Sequence, residues 1–318
     1  MPAVSVIIPV YDVEQFIARC ARSLFEQTLQ DVEFIFIDDC TPDHSIDVMQ
    51  KVLEEYPGRK EQVVVYRMSH NSGQAKVRMQ GISLATGDYV INCDSDDEVN
   101  RDAYRIMYEK AVAEGLDTVT CNYMVVKEDG GRTLHSLYAP CGKEIDDILW
   151  GKIMGALWGR MFRRTLLTNL VPPVGNMTED VVISIQALCN SESIGYVHEP
   201  LYYYYLRSSS ISLMSGKEAD IARWEAFYAN SRLLVEILTG KYGYDVNSSS
   251  IVFFKYRTRS HLQKYVHIPE CYKMWRSTFP EIDGRFLFTS GIPFDAKIWF
   301  VLIHLHLYHP WKVITGKA

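Results

Sequence analysis

Gly87-Asp88-Tyr89-Val90-Ile91-Asn92-Cys93 runs into Asp94-Ser95-Asp96-Asp97, so a short apolar segment ends in three carboxylates within four residues. The apolar part has the length and composition of a buried strand, which places the carboxylates where the strand leaves the sheet for a loop. Like charges this close repel one another. They persist together where a cation sits among the oxygens, and hard carboxylate oxygens suit Mg²⁺ or Mn²⁺ better than zinc. Taken alone, the four residues fit a solvated acidic turn equally well.

Outward from that stretch, the first hundred residues alternate strand and helix patterns. Val4 to Val10 is a continuous apolar run, followed by a helical stripe through Phe16, Ile17, Cys20 and Leu24. Glu33 to Asp38 reads as a second strand that ends in Asp38-Asp39, and Thr41-Pro42-Asp43 can start a helix running to about Tyr56. Val63 to Tyr66 is a third strand, and Asn71-Ser72-Gly73 opens a helix that reaches Ala85 before the fourth strand delivers the acidic cluster. This alternation predicts an α/β fold, a doubly wound and mostly parallel sheet flanked by helices, with ligands beyond the carboxyl ends of its strands. Both acidic pairs fall at such ends. Asp38 or Asp39 alone is better explained as a turn or capping aspartate; two strand ends aimed at one crevice change that balance.

Composition narrows the function classes. The chain has 318 residues, is 47% apolar and carries a net charge of −6, enough for a sizeable core and without the basic excess that binding nucleic acid needs. Seven scattered cysteines, Cys20, Cys40, Cys93, Cys121, Cys141, Cys189 and Cys271, form no C-x-x-C pair and predict buried thiols in a reducing, cytoplasmic compartment. The first strand begins at Val4 with no basic or cleavable leader before it, so it reads as a strand and not as a signal peptide. No G-x-G-x-x-G follows that strand and no G-x-x-x-x-G-K-[ST] occurs, so a phosphate ligand would be held by metal and side chains.

Four blocks, Ser5-Val6-Ile7-Ile8-Pro9-Val10-Tyr11, Phe36 to Asp43, Asn71-Ser72-Gly73 through Arg78, and Gly87 through Asp97, resemble glycosyltransferase family 2 in order and spacing. The resemblance covers residues 3 to about 210. It implies an inverting GT-A enzyme that uses a nucleotide-diphosphate sugar and a divalent metal, Mn²⁺ or Mg²⁺. It sets Pro9, Tyr11, Asp38, Asp39, Arg78, Asp94 and Ser95 toward the donor, with Asp39 near the base, where a carboxylate can accept the N–H of a uracil. Asp94-Ser95-Asp96 is then the family's D-x-D, with Asp96 the first metal ligand, Asp94 second and nearer the ribose and sugar, and Asp97 behind them. Arg78 is equally readable as an ordinary salt-bridged arginine. Three positions depart from the family pattern: Asp12 and Met79 stand where many relatives have Asn, and Cys40 replaces a Gly or Asn.

The remainder supplies acceptor and base. Arg101 to Gly115 reads as a helix and Thr118 to Val126 as a strand, with a hairpin turn at Asp129-Gly130-Gly131. Trp158 to Arg164 resembles a segment leading toward the acceptor and reads from its residues as the edge of a basic amphipathic helix with a buried Trp. Thr178-Glu179-Asp180 matches the family's source of a general base, Asp180 first and Glu179 second. The same three residues look like a helix N-cap, whose dipole would lower the Asp180 pKa. Tyr202 to Ser212 resembles the aromatic strand and Arg/Ser loop that closes the catalytic domain, with Arg207 able to reach the diphosphate. The expected organisation is a catalytic domain at 1–214, with a nucleotide-sugar half at about 1–100 and an acceptor half at about 101–214, and a helical extension at 215–318. Ile298 to Tyr308 is apolar but eleven residues long, short of the ~20 of a spanning helix. Beside Trp311 and Lys312 it fits a peripheral contact on the inner face of a membrane, where lipid-linked acceptors lie, or packing within the chain or in a homo-oligomer. The function these residues predict is sugar transfer from a donor, UDP-linked by preference, to a hydroxyl of a glycan or lipid-linked acceptor in bacterial surface polysaccharide or glycolipid synthesis. A catalytically inactive sugar-nucleotide-binding scaffold is the alternative, and a sugar-nucleotide pyrophosphorylase fits less well because its Gly-rich loop is missing after Val10.

Overall fold

The computed structural model describes residues 1–138, 143–206 and 216–308. All of strand β1 (Val4–Val10) is buried, as a strand covered on both faces must be, which explains its unbroken apolar run. Helix α1 (Ile17–Phe25) lays Ile17, Cys20, Ala21 and Leu24 inward. After β2 (Val32–Asp38), the turn into α2 (Ser45–Glu54) is organised by Asp43. Its carboxylate accepts from Ser45 N and Oγ, Thr41 Oγ1 and Glu14 N; against a burial penalty, these bonds hold its pKa down at about 2. Strand β3 (Val63–Arg67), helix α3 (Gln74–Leu84) and β4 (Tyr89–Asn92) complete this half. Gly81 on α3 lets the helix approach β1 closely: a Cβ there would lie 2.3 Å from Ile7 Cγ2.

Among the described residues the sheet has nine strands, in the order β3-β2-β1-β4-β8-β6-β9-β5, with β7 on β6. Its second half comprises β5 (Glu98–Val99), α4 (Ala103–Glu114), β6 (Thr118–Val126), β7 (Arg132–His135), α5 (Glu144–Trp150), β8 (Arg160–Arg163), α6 (Glu179–Asn190) and β9 (Ile194–Tyr205). Pairing is parallel from β3 through β2 and β1 to β4, then antiparallel across β4-β8 and β8-β6, and parallel again between β6 and β9. The chain leaves β1 to one side for β2 and returns on the other side as β4, so the crevice at this switch opens beside Val10 and the residues after Asn92. Residues 160–163, expected at a helix edge, are strand β8. Arg160 is fully buried there, and its guanidinium donates to the carbonyls of Leu137 and Met154, which a buried arginine needs in place of water.

Contacts divide the chain into two compact units, residues 1–145 with 153–210, and residues 146–152 with 211–318. The second is helical: α7 (Lys217–Gly240), α8 (Ser249–Ser260), α9 (Pro269–Ser277) and α10 (Phe294–His304) surround Tyr256, Trp275, Phe286 and Phe300. The Phe286 ring lies 4.4 Å from Tyr256 and 4.6 Å from Phe300. Residues of α5 belong to this core, with Trp150 stacked 4.5 Å from Phe253 and Arg257 donating to the carbonyls of Ile148 and Leu149. Among the described residues no helix is long and apolar enough to cross a membrane.

Candidate active site

Arg78 is the centre of the crevice. It lies on α3, and its side chain is 4% exposed. Nη2 donates to Asp94 Oδ1 at 2.9 Å, and Nε lies 3.3 Å from Glu179 Oε1. Burial alone would lower the Arg78 pKa; Asp94 and then Glu179 outweigh it, so the cation is held more firmly than usual. One guanidinium thus ties the turn after β4 to the start of α6, elements far apart in sequence. Arg78 Nη1 is buried without a hydrogen-bond partner among the described residues.

The acidic turn divides by depth. Asp97 is buried and accepts from the Tyr202 hydroxyl at 2.7 Å and the Tyr205 N–H at 2.8 Å. Burial and the neighbouring Asp94 nonetheless push its pKa up, so Asp97 is a structural anchor for β9. Asp94 and Asp96 remain partly exposed, and Ser95 is buried. The Tyr202 hydroxyl also accepts from Asp94 N at 3.2 Å, and Trp158 stacks on the Tyr202 ring at 4.5 Å and 7°. Tyr202 and Trp158 are thus support for the turn that its own residues do not reveal.

At the end of β2, Asp38 Oδ1 accepts from Thr41 N at 2.8 Å, and Asp39 accepts from Ser72 N at 2.7 Å and Gly73 N at 2.8 Å. Both aspartates are buried, and Asp39 fixes the loop that opens α3. Pro9 lies within buried β1, and Tyr11 just beyond it is 45% exposed. Asp12 and Cys40, two of the three departures from the family pattern, both have left-handed backbone, φ 55° and 56°. Asn and Gly adopt that conformation most readily, and Asp tolerates it better than Cys does.

At the start of α6, Thr178 occupies the cap position with φ 62°, an unusual conformation for a β-branched residue, and its hydroxyl donates to Met177 O, so it does not cap the helix. Glu179 is buried, and burial and then Asp180 outweigh Arg78 to push its pKa up to about 8. Asp180 is half-buried and accepts from Val181 N at 2.8 Å. Its pKa is also raised, because burial outweighs Arg78 and that N–H; the expected lowering by the helix terminus is reversed. Asn176, which no sequence pattern singled out, accepts from Ala75 N at 3.2 Å at the first turn of α3. A Cβ on Gly73, whose φ is 83°, would lie 2.1 Å from Asn176 Nδ2, so the glycine admits that contact.

Arg207 and Ser208 to Ser212 lie outside the described residues. No group of three or more His, Cys, Asp or Glu side chains is arranged to hold a metal among the described residues. The carboxylates that would serve such a cation are the two the turn leaves partly exposed, Asp94 and Asp96, with one Asp94 oxygen already engaged by Arg78. That set fits a hard cation that takes its remaining ligands from substrate phosphates and water, the usual coordination of Mg²⁺.

Residues 5–171 match the family model described as glycosyl transferase family 2. The chain is 34% identical over 221 residues to the provisionally assigned glycosyltransferase EpsH of Bacillus subtilis (strain 168), covering 66% of this chain and 62% of that protein. In structure it resembles S. aureus TarS 1–349 in complex with UDP-GlcNAc, with a TM-score of 0.60, 19% identity, and coverage of 95% of this chain and 79% of that one. It also resembles the mannosyltransferase PcManGT of Pyrobaculum calidifontis in complex with GDP-Man and Mn²⁺, with a TM-score of 0.53, 14% identity, and coverage of 100% and 88%. At these identities the two structures establish the GT-A fold.

Proposed function

The chain belongs to glycosyltransferase family 2, and on that premise we propose that it transfers a sugar, with inversion, from a nucleotide-diphosphate donor to an acceptor hydroxyl of a glycan or glycolipid. The observation that carries this reading is the buried Arg78 bridge between Asp94 and Glu179, which brings the D-x-D turn and the base-bearing helix to one crevice. The transfer chemistry is assigned to residues 1–214, with 215–318 as a helical extension.

In this reading Asp180 accepts the acceptor's hydroxyl proton as its oxygen attacks the anomeric carbon from the side opposite the diphosphate. The bond from that carbon to the phosphate oxygen breaks, and the nucleoside diphosphate leaves. A carboxyl whose pKa burial has raised is a stronger base than an exposed aspartate, and the Arg78 cation beside it opposes part of that rise. Glu179, holding its proton near neutral pH, spares Asp180 a second negative charge beside it. Asp96, with Asp94, would hold the divalent cation, which supplies Lewis-acid stabilisation of the departing diphosphate. Asp39 keeps lone-pair capacity for a uracil N–H beyond its two backbone bonds, which supports a UDP donor, as does the UDP-GlcNAc carried by TarS.

The test is a panel of UDP- and GDP-sugars with Mn²⁺, Mg²⁺ or chelator, read as nucleoside diphosphate release and as transfer. Asp180→Asn is expected to bind donor normally and lose roughly 100-fold or more in transfer. Asp96→Ala is expected to lose the metal dependence of donor turnover. Donor binding without turnover by the unmodified chain, with every acceptor supplied, would favour the inactive scaffold.

A further inference from the structure

Helix α1 touches the acidic turn at two successive residues. Cys20 Sγ donates to Asp94 O at 3.6 Å, and Arg19 Nη2 donates to Asp96 O at 2.6 Å. The Arg19 guanidinium carbon also lies 3.6 Å from the centroid of the Tyr205 ring, within the range of a cation-π contact. Tyr205 is itself held at both ends: its N–H donates to Asp97 Oδ1 at 2.8 Å and its hydroxyl to Glu98 Oε2 at 2.8 Å. Glu98 Oε2 in turn lies 4.0 Å from Arg19 Nε. Side chains from α1, β9 and β5 thus surround the peptide between Asp96 and Asp97.

The other anchors of the turn act on its ends. Arg78 holds the Asp94 carboxylate, and Tyr202 and Tyr205 hold that of Asp97. Asp96 stands between them with a partly exposed side chain, and Arg19 fixes its carbonyl. A planar peptide bonded to a charged donor that is itself stacked on a ring cannot swing freely, so rotation beside the Asp96 Cα is restrained. On a divalent ion at Asp96, Arg19 has two effects of opposite sign. Its charge repels the ion. Its hydrogen bond removes backbone freedom that ion binding would otherwise have to freeze out. Nη2 is engaged by the carbonyl, and the Glu98 carboxylate and the Tyr205 ring face offset part of the charge, so the anchoring effect is the larger.

Taking Asp96 as the carboxylate that holds the divalent cation, as in the transfer reading on which this depends, we propose that Arg19 is a positioning residue for Asp96, seated by Tyr205 and Glu98. The test is Mn²⁺ binding to the full-length chain in the presence of UDP or GDP, followed as loss of the free-ion signal in electron paramagnetic resonance. Arg19→Met is expected to weaken that binding about tenfold. Tyr205→Leu, which keeps the N–H on Asp97, should shift it in the same direction, and Arg19→Lys, which can still donate to the carbonyl, should recover part of the loss. In donor turnover the Mn²⁺ concentration for half-maximal rate should rise by a similar factor, while the rate at saturating Mn²⁺ changes by less than about twofold. A role confined to stability would lower the rate at every Mn²⁺ concentration and leave the half-maximal concentration where it was. Melting curves check that each variant is folded; should Arg19→Met unfold, the Tyr205→Leu shift decides. Unchanged or tighter Mn²⁺ binding in the folded variants, with Asp96→Ala abolishing it, overturns the positioning role and leaves the transfer reading standing. A parent chain that binds no Mn²⁺ with either nucleotide overturns the metal assignment and the positioning role together.

Discussion

Removing the Arg78 guanidinium leaves the partly exposed Asp94 and the buried Glu179 without the cation that lies against both. Arg78→Met should therefore cost about 3–5 kcal/mol in urea unfolding, the usual penalty for stranding one side of a buried ion pair. Adding Glu179→Gln should recover part of the loss; a double variant no more stable than the single one would show that Glu179 bears none of the strain. Glu179 also sets a pH dependence. In the unfolded chain it ionises near its ordinary 4.5, and in the fold it keeps its proton to about 8. Between those values the unfolded state binds fewer protons, so this contribution is fully present below pH 4.5 and is lost as pH rises toward 8. Its slope is at most about 1.4 kcal/mol per pH unit, and Asp180, shifted the same way, adds to it. Glu179→Gln should flatten that part of the stability profile in denaturant melts taken across the range.

At the scale of elements, the site depends on two helix starts set by distant residues. The first turn of α3 is held by Asp39 from β2 and by Asn176 from the loop before α6. Gly73→Ala would force a side chain into a backbone conformation that only glycine adopts readily and into Asn176, so a loss of about 1–3 kcal/mol is expected, with weaker donor binding. Unchanged stability and affinity would remove Asn176 from the account. The strands and helices themselves were legible because their apolar periods are strong: β1, β2, β3 and β6 lie where those patterns put them. Strand β8 was not, since four residues with two arginines carry no clear period, and only pairing with β4 and β6 makes them a strand. The cap expected at Thr178 failed for a related reason, because its backbone is turned left-handed and its hydroxyl points to Met177 O.

For the whole molecule, the division into units does not follow the chain. Residues 146–152 lie within the sequence of the catalytic half but pack in the helical unit, where Trp150 meets Phe253 and Arg257 holds two carbonyls of α5. A chain ending at residue 214 would keep Ile148, Leu149 and Trp150 and lose what covers them. It should bind an environment-sensitive hydrophobic dye and self-associate in size-exclusion chromatography. A monodisperse, dye-negative product would show that the first unit covers α5 by itself.

The Asp94-Ser95-Asp96-Asp97 stretch shows what each level decides. Apolar periodicity and strand-end placement are local properties, so the α/β alternation, the acidic turn and the family resemblance could be read from the order of residues alone. Which carboxylate does what could not. Asp97 is set apart from Asp94 and Asp96 by its burial and its bonds to Tyr202 and Tyr205, contributed from more than a hundred residues away. Asp180 and Glu179 owe their raised pKa values first to burial, a property of the packed fold that overrides the helix terminus beside them.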